Sequence, residues 1–346
     1  MFRFEKEQKV WDFNGTKIGG QPGEYPTVLA CSIFYNKHEI VLDDKTGKID
    51  KAAAEALWNR CQELSDMVGI PHFIQILAEY PAAFESYISW FDSIDNKTAF
   101  LMDSSVPAAL AHACKYVTET GIAKRAIYNS INGSILPENI EALKNSDVDA
   151  AIVLAFNPAD PSVPGREKVL VEGGVAGQAK GMIPIAEECG ITRPILDTAA
   201  TPLGLGSGSA YREILACKAL HGYPTGGAYH NMTVAWTWLK RWKGSKKNPS
   251  KLTETLKGKD AYLKQLLHHY QGGSIDSVVQ AAWSAPDIGC NLVASTLGAD
   301  LIMYGPIENV EPMITAQSYM DIVTLEAVRP LGIDVKADNH PIFKLI

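Results

Sequence analysis

The sequence predicts an α/β fold, a (βα)8 TIM barrel, on three observations. Short apolar runs recur eight times along the 346 residues, with stretches of helical composition between them, and a strand–helix alternation of this kind builds a parallel sheet. Most runs end at once in a polar residue followed by a turn: LMDSS at Asp103, AIYNSIN at Asn129 and Asn132, IVLAFNP at Asn157, PILDTA at Asp197. The repeat is about 26 residues, room for a strand, two short loops and a helix. Eight such units favour a closed barrel over an open eight-stranded sheet. Parallel sheets carry their sites at the carboxyl ends of the strands, so the polar strand ends mark the functional face.

The first barrel strand is expected at 26–34 (PTVLACSIF), after the turn-rich GGQPGEYP, with its helix from Asp50 to Val68. The second covers 72–80 and ends at Glu79; Pro81, suited to a first helical position, opens a helix through Trp90. The third is 99–105, followed by Pro107 and a helix to Thr120, and the fourth is 125–131, with a helix from Pro137 to Asn145. The fifth is 150–157, and behind it PADPSVPGREKVLVEGG reads as a long irregular loop before a helix near 175–190. The sixth, 194–199, continues through TPLGLGSGS into the helix AYREILACKAL. The seventh is glycine-rich, YPTGGAYHN (223–231), and the eighth is 299–307, with a helix over 310–331. The large departure from the repeat lies between the seventh and eighth strands, where VAWTWLKRWKG leads into KGSKKNPSKLTETLKGK.

The chain is therefore expected to be one barrel domain over 1–346 carrying a helical, basic insertion at 240–273. That insertion sits on the loop side, where variation sets substrate and partner choice. Its lysines, from Lys240 to Lys259, form either a solvated excursion or an arm that steers an acidic partner or a ligand's anionic tail.

Hydrophobic residues make up 46% and charged residues 21%, the balance of an ordinary globular protein. A net charge of −7 and a pI near 5.7 exclude general binding to nucleic acid, which needs a dense cationic surface. The start, MFRFEKEQKVWDF, is charged throughout and lacks the apolar stretch of a signal peptide. Nor does any run approach the length of a transmembrane helix, so no membrane insertion is expected. Six cysteines are scattered without a C-x-x-C pair, which fits reduced thiols and a cytoplasmic protein.

Six polar residues at strand ends gather on one rim: Glu79, Asp103, Asn129, Asn157, Asp197 and Asn231. One Asp or Asn after a strand is commonly a turn former or a helix cap, but repetition around the rim points to a site. Carboxylates and amides with few Lys or Arg suit a neutral, nitrogen-rich heterocycle, because Asp accepts paired N–H donors and Asn both donates and accepts. The run GLGSGS, with Gly204 and Gly206, follows a strand and opens a helix as a phosphate cradle does. It nevertheless lacks the third glycine of G-x-G-x-x-G and the Walker lysine. A loop that brings the chain close to a flat ligand explains it equally well. The eight histidines fall in no metal-ligand spacing, so no metal is expected, and no G-x-S-x-G elbow supplies a hydrolase nucleophile.

The runs KIGGQPGEYPTVL, RAIYNSIN, AFNPADP, ILDTAATPLGLGSG and MYGPIEN together resemble the H-subunit family of tetrahydromethanopterin S-methyltransferase, from about Phe2 to Leu331. They look closer still to its bacterial relatives, the methyltetrahydrofolate-forming methyltransferases of glycine betaine demethylation. The resemblance implies a barrel like that of dihydropteroate synthase. It also implies methyl transfer between N5 of a tetrahydropterin and the cobalamin of a separate corrinoid protein, with tetrahydrofolate as the expected pterin. Tetrahydromethanopterin, or a non-catalytic role in docking the corrinoid protein, is the alternative. Carried over by motif, Asp103, Asn129 and Asp197 hold the pterin and Asn231 sits beside N5. The strand-end and loop reading adds Asn157, Gly204 and Gly206 to the pterin contacts, and Glu79 or water as the acid. A homodimer is a further implication. A dihydropteroate synthase proper would need a basic strand-end Lys and Arg for its pyrophosphate, which the seventh and eighth strands lack.

Overall fold

The structure, a computed structural model, describes residues 2–237, 239–240 and 275–346. The insertion expected over 240–273 therefore lies outside the described residues apart from Lys240. Twelve strands are described: β1 (Val10–Phe13), β2 (Thr16–Gly19), β3 (Val28–Ile33), β4 (Val41–Asp43), β5 (Lys48–Ile49), β6 (His72–Leu77), β7 (Phe100–Asp103), β8 (Ala126–Ile131), β9 (Ala150–Leu154), β10 (Arg193–Asp197), β11 (Thr225–Gly227) and β12 (Leu301–Pro306). Eight of them close into a parallel barrel in chain order, β3-β6-β7-β8-β9-β10-β11-β12, with β12 pairing back onto β3.

Helices cover the outside: α1 (Lys51–Val68), α2 (Pro81–Ile94), α3 (Pro107–Glu119), α4 (Pro137–Lys144), α5 (Val163–Glu167), α6 (Met182–Glu188), α7 (Ser207–Leu220), α8 (His230–Val234), α9 (Ile275–Thr296), α10 (Val310–Val328) and the terminal α11 (Pro341–Leu345). Their ends follow local chemistry. Asp50 caps α1 by accepting from the Ala53 amide, an arrangement that contributes about 1 kcal/mol. Gly69 ends the same helix at φ +81°, where a Cβ would lie 1.9 Å from the Asn339 carbonyl oxygen. Prolines open α2, α3 and α4.

Two-residue alternation sorts the strand side chains into an outer and an inner layer. Leu29, Cys31, Ile33, Ile74 and Met102 face the helices. Val28, Ala30, Phe73, Leu101, Ile127, Ile152, Ile195 and Leu301 fill the barrel. The hairpin β1–β2, turned at Asn14-Gly15, plugs the amino-terminal end: Phe13 meets Phe73 edge-on at 5.5 Å, and the Trp11 indole donates to the Pro194 carbonyl at 2.7 Å. With that end stoppered, the carboxyl ends of the strands form the other mouth of the barrel. No helix among the described residues is long and apolar enough to cross a membrane. All six cysteines are free thiols.

Three expectations need correcting. The seventh strand is only Thr225–Gly227, because Tyr229 is drawn inward to Thr198 and Tyr211 and the chain turns there into α8. The helix expected near 175–190 is confined to Met182–Glu188. Ahead of it, α5 and a π turn (Lys168–Glu172) end at Gly173, which at φ +84° cannot continue a helix. The hairpins β1–β2 and β4–β5 were not anticipated, although Asn-Gly is a strong hairpin-turn signal.

Candidate functional site

The inward register that stacks apolar layers through the barrel ends in a polar top layer. Ser32 and Gln75 are register partners, as are Asp103 and Asn129, and Asp197 closes β10. These residues share strand parity with Val28, Phe73, Leu101, Ile127 and Ile195 beneath them, so their side chains project into the mouth. The Ser32 hydroxyl donates to Gln75 Oε1 at 3.1 Å, and the Gln75 amide donates to Asp103 Oδ2. This chain of hydrogen bonds fixes the Asp103 carboxylate.

Burial raises the Asp103 carboxyl to about 6, opposed by the Gln75 hydrogen bond and assisted by the charge of Glu79. Asp197 is 6% exposed, and burial raises it to about 7. The Ala199 amide donates to its Oδ1 at 2.8 Å and the Arg166 guanidinium attracts the carboxylate, while the charge of Asp103 repels it. Two carboxylates thus feel one another across a mouth too dry to solvate both. Such a site favours a ligand that brings N–H donors.

Asn129 is half-buried, and its side chain's one hydrogen bond among the described residues is a weak 4.0 Å contact from Nδ2 to Met303 Sδ. Its amide is available to a ligand. Gly227 faces Asp197, and a Cβ there would come within 2.9 Å of Asp197 Oδ1. On the β12 side, His230 Nδ1 lies 2.9 Å from the Met303 carbonyl and so carries the proton. Burial lowers the pKa of this ring and keeps it neutral, with Nε2 as an acceptor.

Other expected residues stand apart from this layer. Glu79 lies two residues beyond β6, on the rim, where Ser105 Oγ donates to it at 2.8 Å. Asn157 lies beyond the end of β9 and is a correction to the expected pterin contacts. Its Nδ2 donates to the Gly165 carbonyl at 2.9 Å and its Oδ1 accepts from the amides of Ala159 and Asp160, so it organises its own loop. Asn231 is likewise not a strand end: it sits in the first turn of α8, exposed on the mouth side. Gly206 caps α7 at φ +88°, with a would-be Cβ 2.5 Å from Pro161, which makes it a loop-packing glycine; Gly204, at φ +86°, stands in open space.

Sequence reasoning missed Ser32, Gln75, Gly227 and Arg166. Gln75 had a signal, being a polar residue at the same parity as buried Phe73. Arg166 had none, because its partners are distant backbone carbonyls: Pro161 at 3.0 Å, Ala199 at 2.8 Å, Thr198 and Gly206. It clamps the loops after β9 and β10 beside Asp197.

A family model described as tetrahydromethanopterin S-methyltransferase MtrH subunit matches residues 6–336. The chain is 46% identical to the H-subunit of tetrahydromethanopterin S-methyltransferase from Methanosarcina barkeri and 45% identical to that from Methanosarcina acetivorans, over the full length of both chains in each case. Against the H-subunit from Methanothermobacter marburgensis the identity is 40%, again over all of both chains. Among solved structures, a Xanthomonas albilineans dihydropteroate synthase in complex with indole-2-carboxylic acid and 6-chloroguanine aligns with a TM-score of 0.51 at 16% identity. That alignment covers 92% of this chain and 98% of the other, a likeness of fold.

Proposed function

This chain belongs to the H-subunit family of tetrahydromethanopterin S-methyltransferase and is a methyltransferase component, and on that premise we propose that its barrel mouth holds tetrahydromethanopterin while a methyl group passes between N5 and a corrinoid on a partner protein. The reading replaces the tetrahydrofolate and betaine-type chemistry expected from the sequence, since relatives at 40–46% identity over the whole chain are named for tetrahydromethanopterin. The observation that carries it is the pair of carboxylates, half-buried Asp103 and buried Asp197, facing one mouth with the uncommitted amide of Asn129.

In this proposal Asp103 and Asp197 accept the amino and ring N–H groups of the pterin, and Asn129 satisfies one donor and one acceptor. With the ring so fixed, N5 points outward toward the partner. Asn231, on the rim, stabilises charge developing at N5, and Glu79 is the rim carboxylate that exchanges a proton there. Most of the protein's contribution is positioning and polar preorganisation. The corrinoid supplies the cobalt that carries the methyl group. The rim suits such a partner, because Tyr80, Leu136, Phe156, Leu203, Leu205 and Val234 are all exposed on segments that follow barrel strands. A homodimer remains part of the proposal, testable by sedimentation.

The test is turnover of free cob(I)alamin with methyl-tetrahydromethanopterin and with methyl-tetrahydrofolate in parallel. Preference for the former supports the proposal, and equal or reversed preference refutes the choice of pterin. Absence of transfer from either, with the pterin bound, favours a role in docking alone.

A further inference from the structure

Behind the loops that flank Asp197, α5 and α7 bring together four groups that the methyl-transfer reading does not use. Glu213 and Cys217 lie in α7 and His221 caps its carboxyl end, each four residues from the last, so a carboxylate, a thiol and an imidazole follow one another along one side. Glu167 ends α5 opposite them. One oxygen each from Glu167 and Glu213 and the Cys217 sulfur all lie within 4.8 Å of one another. The Cys217 thiol is 3.7 Å from Glu213 Oε1, and His221 Nε2 is 2.8 Å from Glu167 Oε2.

Two atoms make this more than an acidic cluster. Glu213 has no exposed surface, and neither its Oε2 nor the buried Oε1 of Glu167 receives an N–H or O–H from any other described group, so only a proton held between the two carboxyls, with Glu213 raised to about 8 by burial, or a cation can satisfy them. A buried carboxylate oxygen left bare costs more than a lost hydrogen bond, so this pair holds either a shared proton or a metal cation, and the thiol of Cys217 beside it makes the donor set one that a soft divalent cation takes in preference.

We propose that Glu167, Glu213 and Cys217 bind a divalent transition metal of the zinc type, with His221 holding the Glu167 carboxylate as an outer partner. The donor set fits the class: thiolate and carboxylate oxygens are ordinary zinc ligands at about 2.3 and 2.0–2.2 Å, three protein ligands leave one position for water, and ligating carboxylates are themselves hydrogen-bonded. The charge also balances. Three anionic ligands around a divalent cation leave one negative charge, and the Arg166 guanidinium lies in the field of both Glu213 and Cys217. Since Arg166 also grips the carbonyls of Thr198, Ala199 and Gly206, the metal would staple α5 to α7 beneath the loops around Asp197. That tie between the two helices stands independently of the choice of pterin. A histidine-centred ligand spacing in the sequence does not reveal it, because the carboxylate from α5 arrives only through the fold.

The experiment uses the full-length protein dialysed against buffered zinc. About one zinc per chain, an X-ray absorption spectrum with one sulfur scatterer among oxygen ligands, and a melting temperature lowered by chelator are expected. Glu213→Gln and Cys217→Ala should each lose the metal, and Cys217→Ala should melt at the same temperature with and without chelator. A wild-type protein that retains no zinc and ignores chelator would overturn the proposal and leave a proton shared between two carboxyls. Full zinc occupancy in both variants, with no sulfur signature in the parent, would place the metal elsewhere and overturn it equally.

Discussion

Replacing Asp197 by Asn should make the protein more stable above neutral pH and a poorer receptor for the pterin. The carboxyl titrates at about 7 against 3.8 for an unburied aspartate, with burial as the main cause. At about 1.4 kcal/mol per pH unit, keeping it ionised in the folded protein costs on the order of 4 kcal/mol above pH 7. The sign follows from the raised folded value: the group's contribution is fully favourable below about pH 4, where both states are protonated, and is lost as the pH climbs through 7. Asn escapes this dependence. It keeps an acceptor for the Ala199 amide, while its own N–H groups, facing no partner, cost roughly 1–3 kcal/mol at any pH. The variant should therefore gain about 2 kcal/mol at about pH 8 and gain nothing, or lose about 1, at about pH 4.5. Urea unfolding followed by circular dichroism at the two pH values measures the difference. If the variant and parent differ by the same amount at both, Asp197 does not carry the strained charge argued here. In parallel, a charge-assisted hydrogen bond of about 1.5–3 kcal/mol disappears, so pterin affinity should fall roughly 10- to 150-fold; unchanged affinity would remove Asp197 from the site.

Pterin affinity in the parent should itself weaken as pH falls through about 7 and then about 6, since N–H donors need the ionised forms of Asp197 and Asp103; calorimetric titrations that are flat from about pH 5 to 8 would contradict this. Gly227→Ala places a Cβ within 2.9 Å of Asp197 Oδ1, so it should displace the carboxylate and weaken binding about tenfold or more with little change in circular dichroism; wild-type binding would mean that the carboxylate has room to move. Asn231→Ala, at an exposed rim position, should lower kcat more than it raises the pterin Kd, because a contact to developing charge matters most in the transition state; equal losses in both would reduce Asn231 to a positioning contact.

The barrel was legible in the chain before any contact was known. Eight apolar runs at a regular repeat, prolines at helix starts and polar strand ends are local signals, and each reports on backbone geometry within a few residues. Asp103, Asn129 and Asp197 were legible for the same reason, standing where a buried strand stops. The seventh strand was not, because its length is set by Tyr229 reaching across to Thr198 and Tyr211, contacts that no local pattern encodes. Asn157 looks like Asp197 in sequence, and only the fold shows that its amide is occupied by its own loop. Tertiary structure likewise decided the Gln75 support of Asp103, the Arg166 clamp and the meeting of Glu167 with Glu213 and Cys217. A carboxylate's pKa, its orientation and its neighbours depend on what the closed barrel brings within a few ångströms and what water it excludes, and neither quantity exists in the chain before it folds.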